Sequence, residues 1–198
     1  MSRKSDRRKV NKFTYERMQK QQVKHKKRKL YLVVGASGSG KDYIVDKCCH
    51  EFNKSKVISR TTRRPRFLGE STHKFVTWEQ AIKEFWDAIA KTTFNGNRYY
   101  VLEQDLHHKD FYIIDPAGVH SMNKSALQDI CYEVIFLDVS WKKRMKQMRK
   151  RGDSWFDIIS RLLHDRKAFK KFKEYDEKFA NTNDFYEYIL KETKKSTI

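Results

Sequence analysis

The sequence predicts an α/β fold: a parallel sheet with helices on both faces, joined by a small β subdomain and a helical pair. Three observations point there. An apolar run of β-formers at 30–34 breaks into Gly35-Ala36-Ser37-Gly38-Ser39-Gly40-Lys41, and a helical pattern follows at once. Beyond it, apolar runs of strand length alternate with stretches of helical period, the order of a parallel sheet with crossover helices. Between these lies 59–70, Ser59-Arg60-Thr61-Thr62-Arg63-Arg64-Pro65-Arg66-Phe67-Leu68-Gly69-Glu70, which is too rich in Thr, Pro and Gly for a helix.

Taken in order, residues 1–29 are low in apolar residues and hold thirteen of the 44 lysines and arginines but two of the 25 acids. They are set apart as a basic tail, with 30–198 as the folded domain. Two readings of the tail stand: a solvated, partly helical segment, or an arm that binds nucleic acid or another polyanion by neutralising phosphates. After the glycine-rich loop, 43–52 reads as a helix and 56–59 as a second strand. Residues 73–76 read as a short strand. Thr77 opens a helix with Gln80 placed for a capping box and Trp78, Ala81, Phe85 and Ile89 on one face.

Residues 92–94 and 98–101 flank Asn95-Gly96, a tight-hairpin dipeptide, so one of Tyr99 and Tyr100 faces inward and the other outward. A buried strand at 111–114 ends in Asp115-Pro116-Ala117-Gly118, and another spans 132–138. A basic helix at 141–151, a hinge-like Gly152-Asp153-Ser154 and a second helix carrying Arg161, His164 and Arg166 follow. Most of these charges read as a solvated face. A last strand at 177–180 and a terminal helix at 185–192 complete the chain, with no internal repeat and no Pro- or Ser-rich linker.

The length of 198 residues suits one domain with appendages. The net charge is +19, concentrated in the tail, which leaves a moderately basic body suited to anionic ligands. Cys48, Cys49 and Cys131 form no C-x-x-C pair; Cys48 and Cys49 fall on the helix after the loop and read as buried thiols rather than bridges or metal ligands, and a reduced compartment fits. No apolar run approaches the ~20 residues of a membrane span, and no apolar core follows the charged N-terminus. A cytoplasmic protein is expected.

The chemistry is carried by G-x-x-x-x-G-K. Its glycines let the backbone curl so that successive N–H groups meet an anion at a helix N-terminus, and Lys41 adds a mobile charge for the outer phosphates. Asp42 stands where a Ser or Thr hydroxyl ordinarily meets Mg²⁺. The arginines of 59–70 suit a bidentate grip on a second phosphate. Asp115, at the end of a buried strand, reads either as a ligand of substrate or Mg²⁺-bound water or as a helix cap. Arg151 and Arg161 bracket the hinge and are placed to swing onto a nucleotide. A phosphate loop after the first strand makes this a P-loop kinase core.

With these residues in view, the chain resembles the guanylate kinase family from about residue 30 to residue 184. The specific part is residues 35–41 combined with Ser59-x-Thr61-Thr62-Arg63-x-Pro65-Arg66-x-x-Gly69-Glu70. The resemblance implies ATP bound at Gly35, Ala36, Ser37, Gly38, Ser39, Gly40, Lys41 and Asp42. It implies an acceptor region at about 59–105, where Ser59 meets the base and Arg63, Arg66 and Tyr99 hold the acceptor phosphate, with Glu70, His73 and Asp115 also among the substrate contacts. It implies a lid at about 141–167 bearing Arg151 and Arg161, which act with Lys41 in catalysis. Mg²⁺ is the implied cofactor beside ATP, with Asp42 and Asp115 as its candidate ligands.

Four departures stand out. Asp42 replaces the metal-binding hydroxyl, as in ribose-bisphosphate kinases related to the family and some phage deoxynucleotide kinases. His73 replaces a phosphate-contacting tyrosine. Ala90 aligns with the glutamate that reads guanine, and Tyr100 and Val101 replace small residues. The implied function is ATP-dependent phosphorylation of GMP or dGMP. Another phosphorylated acceptor, a non-catalytic guanylate-kinase-like module and a tail-led nucleic-acid-binding protein are the alternatives.

Overall fold

The computed structural model describes residues 28–123, 127 and 130–197; the basic segment considered as a nucleic-acid-binding arm lies outside these, apart from its last two residues. The first strand, β1 (Arg28–Gly35), starts two residues ahead of the expected boundary. Lys29 anchors that start, its Nζ 2.6 Å from Glu133 and 2.8 Å from Glu192.

β1 lies between β6 (Phe111–Ile114) and β7 (Ile130–Leu137), with β8 (Glu177–Phe179) beyond, all parallel in the order β6-β1-β7-β8. Because strand side chains alternate faces, β1 feeds two cores. Leu30, Leu32 and Val34 pack with Ile89, Val101, Val119 and Phe136. Tyr31 and Val33 pack with Ile44, Val45, Cys48, Phe185 and Ile189 of α1 (Lys41–Glu51) and α7 (Thr182–Thr197). Burial on both faces is why the strand reads as a continuous apolar run.

The second sheet has the order β3-β2-β5-β4, formed by β2 (Arg60–Thr61), β3 (Lys74–Phe75), β4 (Ala90–Phe94) and β5 (Asn97–Val101). The expected hairpin is there: Asn95 and Gly96 have φ of 46° and 73° and join β4 to β5. Tyr100 is buried inward and Tyr99 is half-buried. Ile89, Ala90 and Val101 share a core with β1, so the subdomain is packed onto the main sheet.

Two expectations are corrected. Residues 56–59 do not form a strand of the main sheet. Lys56 makes a single bridge to Phe111, Asp110 holds Ser55, and the chain then crosses to pair as β2 in the second sheet. The helix after Thr77, α2 (Trp78–Glu84), is capped by Thr77 Oγ1 accepting from the Gln80 N–H, but the Gln80 side chain turns to Glu84 instead of closing the box. Its apolar stripe is buried only in part: Ala81 is buried and Phe85 packs edge-on against Tyr100 at 5.7 Å, but Trp78 is exposed and Ile89 lies beyond the helix end.

Two short helices, α3 (Glu103–Leu106) and α4 (Pro116–Ser121), flank β6 in sequence. The helical pair is α5 (Trp141–Lys150) and α6 (Trp155–Phe169). The base of α6 is fixed by aromatic packing: Phe136 stacks on Phe169 at 5.5 Å and meets Phe172 and Tyr175 at 5.6 Å each. Among the described residues no helix is long and apolar enough to cross a membrane. All three cysteines are free thiols; Cys48 is buried, as expected, and burial pushes its pKa up to about 12, Cys49 is half-buried and Cys131 is exposed.

Candidate active site

The glycine-rich loop leaves the C-terminal end of β1 and turns into α1, with Gly38 at φ 73° and Gly40, the N-cap, at φ 81°. Both angles are strained for residues with a Cβ. At Gly38 a Cβ would also lie 2.8 Å from the Arg144 carbonyl oxygen. The Ser39 N–H donates to the Ala36 carbonyl at 3.1 Å and tightens the turn. The eleven-residue helix α1 thus presents its N-terminus and dipole to the loop, a ready anion site. Lys41 is its first residue. Its ammonium lies 3.8 Å from the carboxylate of the exposed Asp42.

The arginine segment forms a side-chain site organised by Glu70. Arg63 donates to Glu70 from Nη2 at 2.7 Å and from Nη1 at 3.2 Å, the Arg66 N–H donates at 2.7 Å, and Thr72 Oγ1 donates at 2.6 Å. Arg63, the Arg66 amide and Thr72 hold the Glu70 carboxyl well below the usual carboxylate range. The buried Glu70 therefore accepts four hydrogen bonds and gathers the clamp around its carboxylate. The Arg66 side chain is exposed.

His73 Nδ1 lies 2.9 Å from Ser59 Oγ, and its ring meets Tyr99 edge-on at 5.5 Å. Burial, then the charges of Arg63 and Arg66, push its pKa below the ordinary histidine value. Ser59, Arg63, His73 and Tyr99 are thereby brought together. Arg60 is not part of the clamp. It is 2% exposed and forks onto Asp105 at 2.7 and 2.9 Å, with Glu84 at 3.1 Å; Tyr100 Oη donates to the same Glu84 at 2.7 Å. This network holds the second sheet to α2 and α3.

Asp115 lies one residue beyond the Val34–Ile114 pair, at the sheet edge where the loop departs. Its Oδ1 accepts from the Gly118 N–H at 2.6 Å, so it caps α4. In the helical pair, Arg151 donates to Asp153 from Nε at 3.0 Å and Nη2 at 2.5 Å. Arg151, then the charges of Arg161 and Arg66, lower the Asp153 pKa, and Arg151 in turn senses Asp42. α6 also reaches the second sheet, where His164 meets Phe94 edge-on at 4.7 Å.

Sequence reasoning missed two buried members. Arg144, read as part of a solvated face, and Asp165 meet at 2.8 Å, and both bond the backbone of Ser37. The available signal was a lone acid seven residues after Ile158 on the buried side of α6.

Among the described residues no group of three or more His, Cys, Asp or Glu is placed to hold a metal unaided. Asp42 nonetheless offers a hard, exposed oxygen at the loop mouth, the single-carboxylate donor that Mg²⁺ accepts when phosphates and water complete its shell. Asp115 fits less well, one oxygen being committed to its cap.

A glycine-rich loop behind the first strand of a parallel sheet, an arginine-bearing second sheet and a helical pair make a mixed α/β fold with helices flanking the parallel sheet. No protein-family model matches the chain. A guanylate kinase of Hydrogenovibrio crunogenus is 27% identical over 175 residues, covering 82% of this chain and 83% of that one. The crystal structure of guanylate kinase from Anaplasma phagocytophilum superposes with a TM-score of 0.58 at 18% identity, covering 86% of this chain and 87% of the other, and speaks for the fold. The chain is guanylate-kinase-like in sequence and in fold.

Proposed function

We propose that this chain transfers the γ-phosphoryl group of ATP to a nucleoside monophosphate, GMP or dGMP, giving the diphosphate. One observation carries the reading. A backbone anion site at residues 35–41 and a side-chain anion site at Arg63 and Arg66 are both joined to the helical pair, the loop through Arg144 and Asp165 on Ser37 and the second sheet through the Phe94–His164 ring contact at 4.7 Å. Such transfer needs no covalent nucleophile. It needs two phosphates held in line and their charge offset.

In this scheme the loop amides and Lys41 hold the donor phosphates, while Arg63, Arg66 and Tyr99 hold the acceptor phosphate. Ser59 and Asp115 border the acceptor group. When the lid closes, Arg151 exchanges Asp153 for the transferring phosphoryl group, and Arg161 joins it there. Mg²⁺ held by Asp42 and the phosphates would supply further charge neutralisation. A cytoplasmic setting agrees with the three free thiols.

Specific observations also favour a second acceptor class, another deoxynucleotide or a ribose bisphosphate. Ala90 and Val101 are 1% and 0% exposed, and the Tyr100 hydroxyl is spent on Glu84, so none of the three offers a free polar group to a base. Steady-state ADP release by Lys41→Ala and Arg66→Ala with candidate acceptors tests the scheme. Both variants are expected to lose turnover, and unchanged turnover in either rejects it.

A further inference from the structure

Ser37 lies in the phosphate loop, yet its main chain is held from both sides by the helical pair. Its N–H donates to Asp165 Oδ2 at 2.9 Å, and its carbonyl accepts from Arg144 Nη1 at 3.2 Å. Its hydroxyl lies 3.4 Å from Asp165 Oδ1. Arg144 belongs to α5 and Asp165 to α6, so one residue of the loop is bonded to both helices. The two side chains also pair with each other at 2.8 Å and are 11% and 9% exposed.

We propose that Arg144 and Asp165 are positioning residues of the phosphate loop, fixing its backbone and balancing charge beside it. A carbonyl held by a guanidinium cannot turn toward an anion in the loop and repel it. A carboxylate beside a triphosphate site would oppose binding through its charge, strongly so where water is scarce. Arg144 neutralises that carboxylate at contact distance, so Asp165 can hold the Ser37 N–H, an amide thereby withdrawn from the anion site, without adding net negative charge beside the remaining loop amides. Removing Arg144 leaves a buried, uncompensated acid behind the loop.

The pairing also divides the helical pair mechanically. The early part of α5 and the late part of α6 are bolted to the loop, and the Phe136–Phe169 stack fixes the base of α6. Motion of the pair is therefore confined to the stretch between, which contains Arg151, Gly152 at φ 92° and Arg161.

The ATP arm of the test rests on the proposed kinase reading; the exchange arm does not. Calorimetric titration with Mg²⁺·ATP compares wild type, Arg144→Gln, Asp165→Asn and the double variant. Hydrogen exchange of the 36–41 amides without ligand is followed in parallel. Arg144→Gln is expected to weaken ATP binding by about tenfold or more, the scale of one uncompensated buried charge. Adding Asp165→Asn is expected to recover most of that loss, because the stranded charge is gone, while loop exchange stays faster than in wild type.

A merely structural role would lower thermal stability additively and give no such rescue. Unchanged affinity and unchanged exchange in Arg144→Gln, or a double variant no better than the single, overturns the proposal. If wild type binds no ATP, the kinase reading fails, and the exchange comparison alone decides the clamp. Should Arg144→Gln not fold, Arg144→Lys keeps the charge without the fork. It is then expected to retain ATP affinity and speed loop exchange, and wild-type exchange would overturn the clamp.

Discussion

The glycine-rich loop and the arginine clamp are both proposed to receive anions, but they are built differently. The loop is a backbone device. Its donors are peptide N–H groups set by Gly38 and Gly40 at positive φ, at the head of α1 and beside a strand buried on both faces. The clamp is a side-chain device on short strands, and its geometry depends on Glu70 gathering Arg63, the Arg66 amide and Thr72. A backbone site is fixed by the fold itself. A side-chain site needs a further residue to hold it, and that residue is where it breaks.

The largest expected effect falls on the loop. Lys41→Ala should lower kcat by ~10³-fold or more, the scale for a lost cation in phosphoryl transfer, with the acceptor KM nearly unchanged. Steady-state kinetics with both substrates varied would show the split. Next comes the frame under the clamp. Arg60→Ala strands Asp105 and Glu84, and should cost about 3–5 kcal/mol in urea unfolding without any direct effect on chemistry. Were Arg60 a phosphate ligand instead, stability would hold and the acceptor KM would rise.

The clamp itself is tested by Glu70→Ala. With its organiser removed, Arg63 and Arg66 are misplaced, and the acceptor KM should rise roughly 10- to 100-fold while the ATP KM stays fixed. Equal rises in both constants would erase the distinction between the two sites.

The smallest effect concerns pH. His73 has a folded pKa below its unfolded value, so its neutral form carries stability that is present at neutral pH. That contribution is lost as pH falls through the ordinary histidine range toward the lower folded value. Thermal melts of His73→Gln between about pH 5 and 8 should show a shallower acid-side decline than wild type. Parallel curves would remove His73 from the electrostatics of the clamp.

The same contrast explains what the sequence disclosed. The loop was legible because strand, glycines, lysine and helix are contiguous and each has a local cause. The Asn95-Gly96 hairpin and the 111–114 strand were legible for the same reason. What local pattern could not supply was partnership across the chain. Arg60 looked like its neighbours Arg63 and Arg66 until Asp105, 45 residues on, claimed it. Residues 56–59 had strand-like composition, but tertiary pairing moved the strand to Arg60 and Thr61. Asp115 had two readings in sequence, and its bond to the Gly118 amide establishes the cap. Arg144 and Asp165 meet Ser37 across 107 and 128 residues, and no periodicity spans such distances.

The central claim is that the two sites work on two phosphates in one transfer. A coupled assay of ADP release by wild type with Mg²⁺·ATP tests it most directly, run across all ribo- and deoxynucleoside monophosphates and ribose 1,5-bisphosphate. ADP release is expected to depend on one of these phosphorylated acceptors and to disappear in Lys41→Ala. ADP release with none of them, from folded protein that binds ATP, would contradict it.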